Sequence, residues 1–279
     1  MRKLLLTTTA LVSFVAVGSA GAADLPVKAP YAPAVICPAC NWSGFYLGVN
    51  VGGSIGVIQN TDGLSGFPTG AGFPAAGNPF LSSDVKRALP GIFGGVQGGF
   101  NWQTGNLVLG VEADWQFTDE KSTLTVQGQN LAAALFTNSY TDQERIKSLG
   151  TARARLGWAH DSYLWYVTGG AAWARIDSSY TLVSSIPAVT FPSPFAASFS
   201  TDKVGWTIGG GVETCLWNSN WSAKLEYLYV NLGTLTNSFA TPPTAAGTFA
   251  TFTSANKIED HIIRVGLNYR FGGPLVARY

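Results

Sequence analysis

The chain has 279 residues, a formal net charge of +1, 46% hydrophobic residues and only 12% charged residues. An ordinary soluble domain carries roughly 25% charge, a disordered chain has few aromatics, and a nucleic-acid binder shows a clear basic excess. With 33 Gly, 9 Trp, 10 Tyr and 16 Phe, disorder and nucleic-acid binding are excluded, and the composition fits an all-β protein in a solvent hostile to charge.

Residues 1–22 read as a secretory signal peptide. Arg2 and Lys3 form its positive start, Leu4 to Val17 its apolar run, and Ala20-Gly21-Ala22 its cleavage motif. Cleavage between Ala22 and Ala23 removes two bases and no acid, leaving 15 bases against 16 acids. The apolar run is shorter than the ~20 residues of a spanning helix, and no later stretch offers ~18 consecutive apolar residues. A helical membrane protein is therefore excluded. Residues 23–43 read as a Pro-rich periplasmic linker. Cys37-Pro38-Ala39-Cys40 lies within it. Such a pair could oxidise, or bind a metal with partners from elsewhere; we read it as a linker feature without catalytic role. Cys215 stands alone in a predicted strand.

From residue 44 onward, period-2 alternation recurs. In Phe45–Val51, residues 45, 47, 49 and 51 are apolar and alternate with Tyr46, Gly48 and Asn50. In Leu107–Phe117 every odd position is apolar, while the even positions include Gly110, Glu112, Asp114 and Gln116. Eight runs are predicted: about 44–55, 90–102, 106–118, 147–159, 163–178, 202–217, 221–232 and 258–271. The connections alternate long and short, with long ones at about 57–89, 119–146, 179–201 and 233–257. Outer-membrane barrels combine short periplasmic turns with long extracellular loops. The predicted fold is therefore an eight-stranded antiparallel transmembrane β-barrel over 44–271, with a C-terminal extension at 272–279. Phe45, Trp102, Trp158, Trp165, Trp221 and Phe271 fall near the periplasmic strand ends, and Trp115, Trp173, Trp206 and Tyr229 near the opposite ends. They form two aromatic girdles.

With the apolar face turned outward, the inward charges are Glu112, Asp114, Arg153, Arg155, Glu213, Lys224, Glu226, Arg264 and Arg270. A bore of eight strands is wide enough only for side chains to fill, and charges buried there must be paired. Distances counted from the turns predict the pairs Glu112–Arg153, Glu213–Lys224 and Glu226–Arg264. We read these charges as a polar plug rather than an ion pathway. The glycines of 94–99 and 209–211 fit bends of a tightly curved sheet.

Several segments carry a family resemblance. They are Asn41-Trp-Ser-Gly-Phe-Tyr-Leu-Gly48, Gly205-Trp-Thr-Ile-Gly-Gly-Gly-Val-Glu213, Trp221-Ser-Ala-Lys-Leu-Glu-Tyr227 and Arg264-Val-Gly-Leu-Asn-Tyr-Arg-Phe271. Together they resemble the porin-family outer-membrane immunogenic proteins of Alphaproteobacteria, relatives of OmpA/OmpX-type barrels. The resemblance implies an outer-membrane location and surface-exposed loops. The closing segment is also similar to the signal read by the outer-membrane assembly machinery, with Arg264, Gly266, Tyr269 and Phe271 at its marked positions.

The functional expectation is a non-enzymatic barrel with a structural and surface-interaction role; a narrow solute pore is the alternative. The uncharged stretch Val183–Ser200 holds Phe191, Phe195 and Phe199. It either contacts lipid A of lipopolysaccharide, a partner protein or another copy, or packs on its own strands. An enzyme would need a general base. The chain has only His160, at a predicted periplasmic turn, and His261 beside Asp260. No metal spacing or nucleotide fingerprint is present, and no cofactor is expected.

Overall fold

The computed structural model describes residues 40–65, 85–129, 137–184, 194–216, 219–240 and 251–271. The signal peptide with Ala22 and Ala23, the linker before Cys40, Cys37, Phe191 and the 272–279 extension lie outside the described residues.

Every regular element among the described residues is a strand: β1 (Gly44–Ser65), β2 (Val85–Thr104), β3 (Leu107–Thr118), β4 (Lys121–Gln129), β5 (Thr137–His160), β6 (Tyr163–Ser184), β7 (Phe195–Cys215), β8 (Trp221–Ala240) and β9 (Thr251–Phe271). Neighbours pair antiparallel in the order β3-β2-β1-β9-β8-β7-β6-β5-β4, and β3 also pairs with β5. That last pairing closes the sheet. β3 and β4 lie along the same partner, β5, on either side of Asp119 and Glu120. They form one interrupted stave, so the ring has eight staves. In the lower barrel each described strand is paired on both sides, as a lipid environment requires; further out, β4 pairs only β5, and the β7–β8 ladder stops at Trp206 and Asn231.

Alternation sets which side chains face outward. Leu47, Val49, Val51 and Ile55 on β1, Leu109, Val111 and Trp115 on β3, and Ile263, Val265 and Leu267 on β9 are exposed. The predicted girdle residues Phe45, Trp102, Trp158, Trp165, Trp221, Phe271, Trp115 and Trp206 are exposed as well. Cross-strand register groups them: Phe45 faces Phe271, Trp158 faces Trp165, and Trp221 faces Tyr269. Beyond Ile55, Ile92, Phe117, Trp173 and Tyr229, the outward residues turn polar at Asp119, Lys121, Arg145, Lys147 and Arg175. This change marks the outer limit of the lipid-facing band.

Short connections are predicted around 103–105, 160–162 and 218–220; turns at 105–106 and 161–162, and a bend at 219–220 just before β8, fall there. The predicted long connections are corrected. β1 continues to Ser65, β5 begins at Thr137, β6 runs to Ser184 and β9 begins at Thr251. Much of the sequence assigned to loops is strand above the lipid band. Its outward positions face water, so they need not be apolar and the alternation signal ends. Two bulges also break the period, one between Ile146 and Ser148 on β5 and one between Asn231 and Gly233 on β8.

Candidate functional site

The lumen is filled in layers. At its periplasmic mouth, Trp42 is buried against Val108, Ala159, Leu164 and Tyr166. Its backbone N–H donates to Gln103 Oε1 at 2.7 Å. Arg270 lies 4.9 Å from the Trp42 ring and donates to the Asn41 carbonyl at 2.5 Å. A disulfide joins Cys40 to Cys215. Cys215, which stands alone in its predicted strand, thus has a distant partner, and Cys40 takes a structural role at the end of the linker. The bond ties the segment before β1 to the end of β7, and Arg270 donates to Cys215 Sγ at 3.1 Å.

The next layer is ionic. Glu112 on β3 accepts from Lys224 Nζ on β8 at 2.8 and 2.9 Å, from Tyr46 Oη on β1 at 2.6 Å, and from Arg153 on β5. Arg153 also donates to Asp114 and to Glu226, each at 3.0 Å. Arg264 on β9 donates to Glu226 at 2.6 Å and to Asp114 at 3.0 Å. Arg155 donates to Glu213 at 2.5 Å and stacks 3.6 Å over Tyr166. Four carboxylates thus meet four cations, all almost completely buried. In the ring order, β3 and β8 are four staves apart in either direction. The Glu112–Lys224 contact therefore spans the bore, which wall-hugging pairs would not do.

Two of the three sequence-predicted pairs, Glu112–Arg153 and Glu226–Arg264, are in contact. The third is corrected. Glu213 and Lys224 are cross-strand neighbours, yet Glu213 bonds Arg155 while Lys224 reaches over to Glu112. A Lys or Arg in a narrow bore is long enough to choose the far wall, so depth alone does not assign partners. Asp114 accepts from Thr151, Arg153 and Arg264.

Two tyrosines outside the predicted set complete this layer. Tyr46 lies over Gly99 and Tyr166 over Gly211. A Cβ at either glycine would fall 2.5 or 2.8 Å from the tyrosine oxygen. The missing side chains make room for rings whose hydroxyls donate to Glu112 and Glu226. On β9, Gly266 faces Lys224, whereas Tyr269 packs against Trp221 and Phe271, each at 5.0 Å.

Above the ionic layer lies a mostly apolar one that includes Ile58, Leu89, Phe93, Ile176, Leu228 and Ile262; two acids, Glu120 and Asp260, are buried at the same level, and Glu120 accepts from Ser54 at 2.5 Å. Outward of it, and beyond the lipid band, is a second polar layer. Asp142 Oδ2 accepts from Asn60 at 2.8 Å and from Arg87 at 2.6 Å. Glu144 accepts from Ser178 at 2.7 Å, Asn256 at 2.8 Å and Tyr180 at 3.3 Å. Burial, reinforced by the Asp142 charge, pushes the Glu144 carboxyl up to about 7. Burial likewise pushes Asp62 up to about 6. An aromatic cluster of Tyr140, Tyr180 and Phe252, with Phe199 and Phe239 against it, lies beside and above this layer. Phe199 therefore packs on the barrel's own strands; the Phe195 ring lies 5.8 Å from that of Phe239, tilted by 34°.

The histidines form no catalytic pair. His261 projects outward, with Nδ1 2.7 Å from the Tyr227 hydroxyl, while its neighbour Asp260 is buried in the lumen. His160 is exposed beside Asp161 at the β5–β6 turn.

The outer membrane protein beta-barrel domain family matches residues 9–271. The 31 kDa outer-membrane immunogenic protein of Brucella melitensis biotype 1 is 32% identical over 91% of this chain and 94% of its own length. The 25 kDa outer-membrane immunogenic protein of Brucella abortus biovar 1 is 26% identical over 97% of this chain and 99% of its own. Among solved structures, the attachment invasion locus protein Ail of Yersinia pestis is similar at 12% identity and a TM-score of 0.31, covering 80% of this chain and 98% of that one.

Proposed function

The chain belongs to the outer membrane protein beta-barrel domain family and is an outer-membrane β-barrel protein; from that premise we propose that it works without catalysis, as a closed barrel that reinforces the envelope and presents protein surface to the exterior. The observation that carries this reading is the Glu112–Lys224 contact across the bore, within a layer of four acids and four bases that leaves no charge of either sign in excess. A conducting pore needs a continuous polar path. Here the balanced ionic layer is followed by the mostly apolar one of Ile58, Leu89 and Leu228, in which Glu120 and Asp260 are buried; its apolar side chains disfavour hydrated ions. The exterior role rests on strands that extend past the outer girdle, and on relatives named as outer-membrane immunogenic proteins.

Planar-bilayer recording tests the closed bore. The expected result is no steady ohmic conductance from the refolded chain. A reproducible unit conductance that changes in Arg153→Gln would favour the solute pore instead. Surface presentation is tested by protease shaving of intact cells, which should cut only outside the lipid band.

A further inference from the structure

The two polar layers of the lumen differ in charge. The lower is balanced, whereas the outer holds Asp62, Asp142 and Glu144 against a single described base, Arg87. Buried carboxylates in such excess must be protonated or be matched by another cation.

The unpaired atoms indicate which kind of ligand would match them. Asn60 Oδ1, Asp62 Oδ1, Asp142 Oδ1 and Asn256 Oδ1 are buried and have no hydrogen-bond partner among the described residues. Asn60, Asp142 and Asn256 are fully buried, at 0% exposure, and Asp62 is at 9%. The Tyr140 hydroxyl and Arg87 Nε are also unpaired. Asn60 and Asn256 face each other across β1 and β9, and Asp62 faces Ser254 at the next inward pair. Asn60 bonds Asp142, which brings β5 to the same place. Burial is the main cause of the raised Asp62 carboxyl, and the nearby Asp142 charge adds to it.

Four unpaired oxygens, two from carboxylates and two from amides, are the ligand chemistry of a hard cation. No histidine or cysteine contributes, and among the described residues no three His, Cys, Asp or Glu form a metal cage. This disfavours a zinc-type site and leaves an oxygen set that water would complete. We propose that the outer polar layer binds one hard divalent cation of the Ca2+ class through Asp62, Asp142, Asn60 and Asn256. Its positive charge offsets the acid excess of the layer. The apolar layer below and the aromatic cluster above keep the site in a low-dielectric setting, where that match counts most.

The test uses the full chain refolded in a zwitterionic detergent, stripped with chelator, and titrated with Tb3+ under tyrosine excitation; Tyr140 and Tyr180 serve as antennae. Because the aromatic cluster restricts entry, loading is measured on the folded barrel and also after refolding with the ion present. The expected result is one saturable site per chain, displaced by Ca2+. Its affinity falls at least tenfold in Asp142→Asn and in Asp62→Asn and is unchanged in Asp119→Asn, an exposed acid outside the layer. Heat-modifiable migration on gels shows that each variant is folded, and either variant suffices if the other does not fold. Absence of a saturable site under both loading conditions, or equal affinity in the folded Asp142→Asn or Asp62→Asn variant, overturns the proposal and leaves protons and water to neutralise the layer.

Discussion

At Glu144, burial outweighs ionisation. The side chain accepts three hydrogen bonds, yet its carboxyl is pushed up to about 7, first by desolvation and then by the Asp142 charge. An unfolded Glu titrates near ~4.3. The folded chain therefore holds a proton that the unfolded chain has lost, and this contribution to stability is full below about pH 4 and declines as pH rises through about 7. In chelator, wild-type stability should fall from pH 5 to pH 8. The Glu144→Gln variant should show a flatter profile, because its amide needs no proton. Urea unfolding of the refolded barrel at each pH measures this, and identical slopes for the two proteins would contradict the assignment.

Individual strands show how much was legible in the sequence. β3 was readable from Leu107 to Phe117 because lipid demands apolar residues at every outward position, leaving the even positions, Glu112 and Asp114 among them, to the lumen. The same logic ended at the lipid boundary. On β5 the bulge at Ile146 and Ser148 shifts the parity, so Asp142 and Glu144 point inward although Arg153 and Arg155 do so from odd positions. Asn60 and Asp62 continue the inward parity of Tyr46 and Asn50 on β1, and were hidden only because their outward neighbours are polar. The Cys40–Cys215 pairing was not legible. It joins residues separated by 175 positions, and Cys37 offered a local alternative. The bond closes a long loop across the periplasmic mouth, where it helps hold Trp42 in place. Reduction, or Cys215→Ser, should cost about 2–5 kcal/mol and expose Trp42. A red shift in tryptophan emission and a lower unfolding midpoint are the expected readouts. Unchanged values for both after complete reduction would show that the cap stands on Trp42 and Arg270 alone.

Over the whole molecule, the staves turn their apolar side chains to lipid and use the lumen as the core. The usual arrangement of a soluble barrel is reversed: the interior is held by ion pairs that alternate with a mostly apolar layer. Buried ion pairs do not guarantee net stability, but leaving one partner unmatched costs about 3–5 kcal/mol. That cost makes register strict, since a one-residue slip would turn Glu112, Arg153 and Glu226 toward lipid. The most direct test of a filled bore is a double-mutant cycle on Glu112 and Lys224, which sit on opposite walls. The cycle compares Glu112→Gln, Lys224→Met and the double variant by unfolding in lipid vesicles. The account predicts that the double variant loses less than the sum of the singles, by at least about 1 kcal/mol. Losses that simply add would mean the two side chains do not meet and the bore is open.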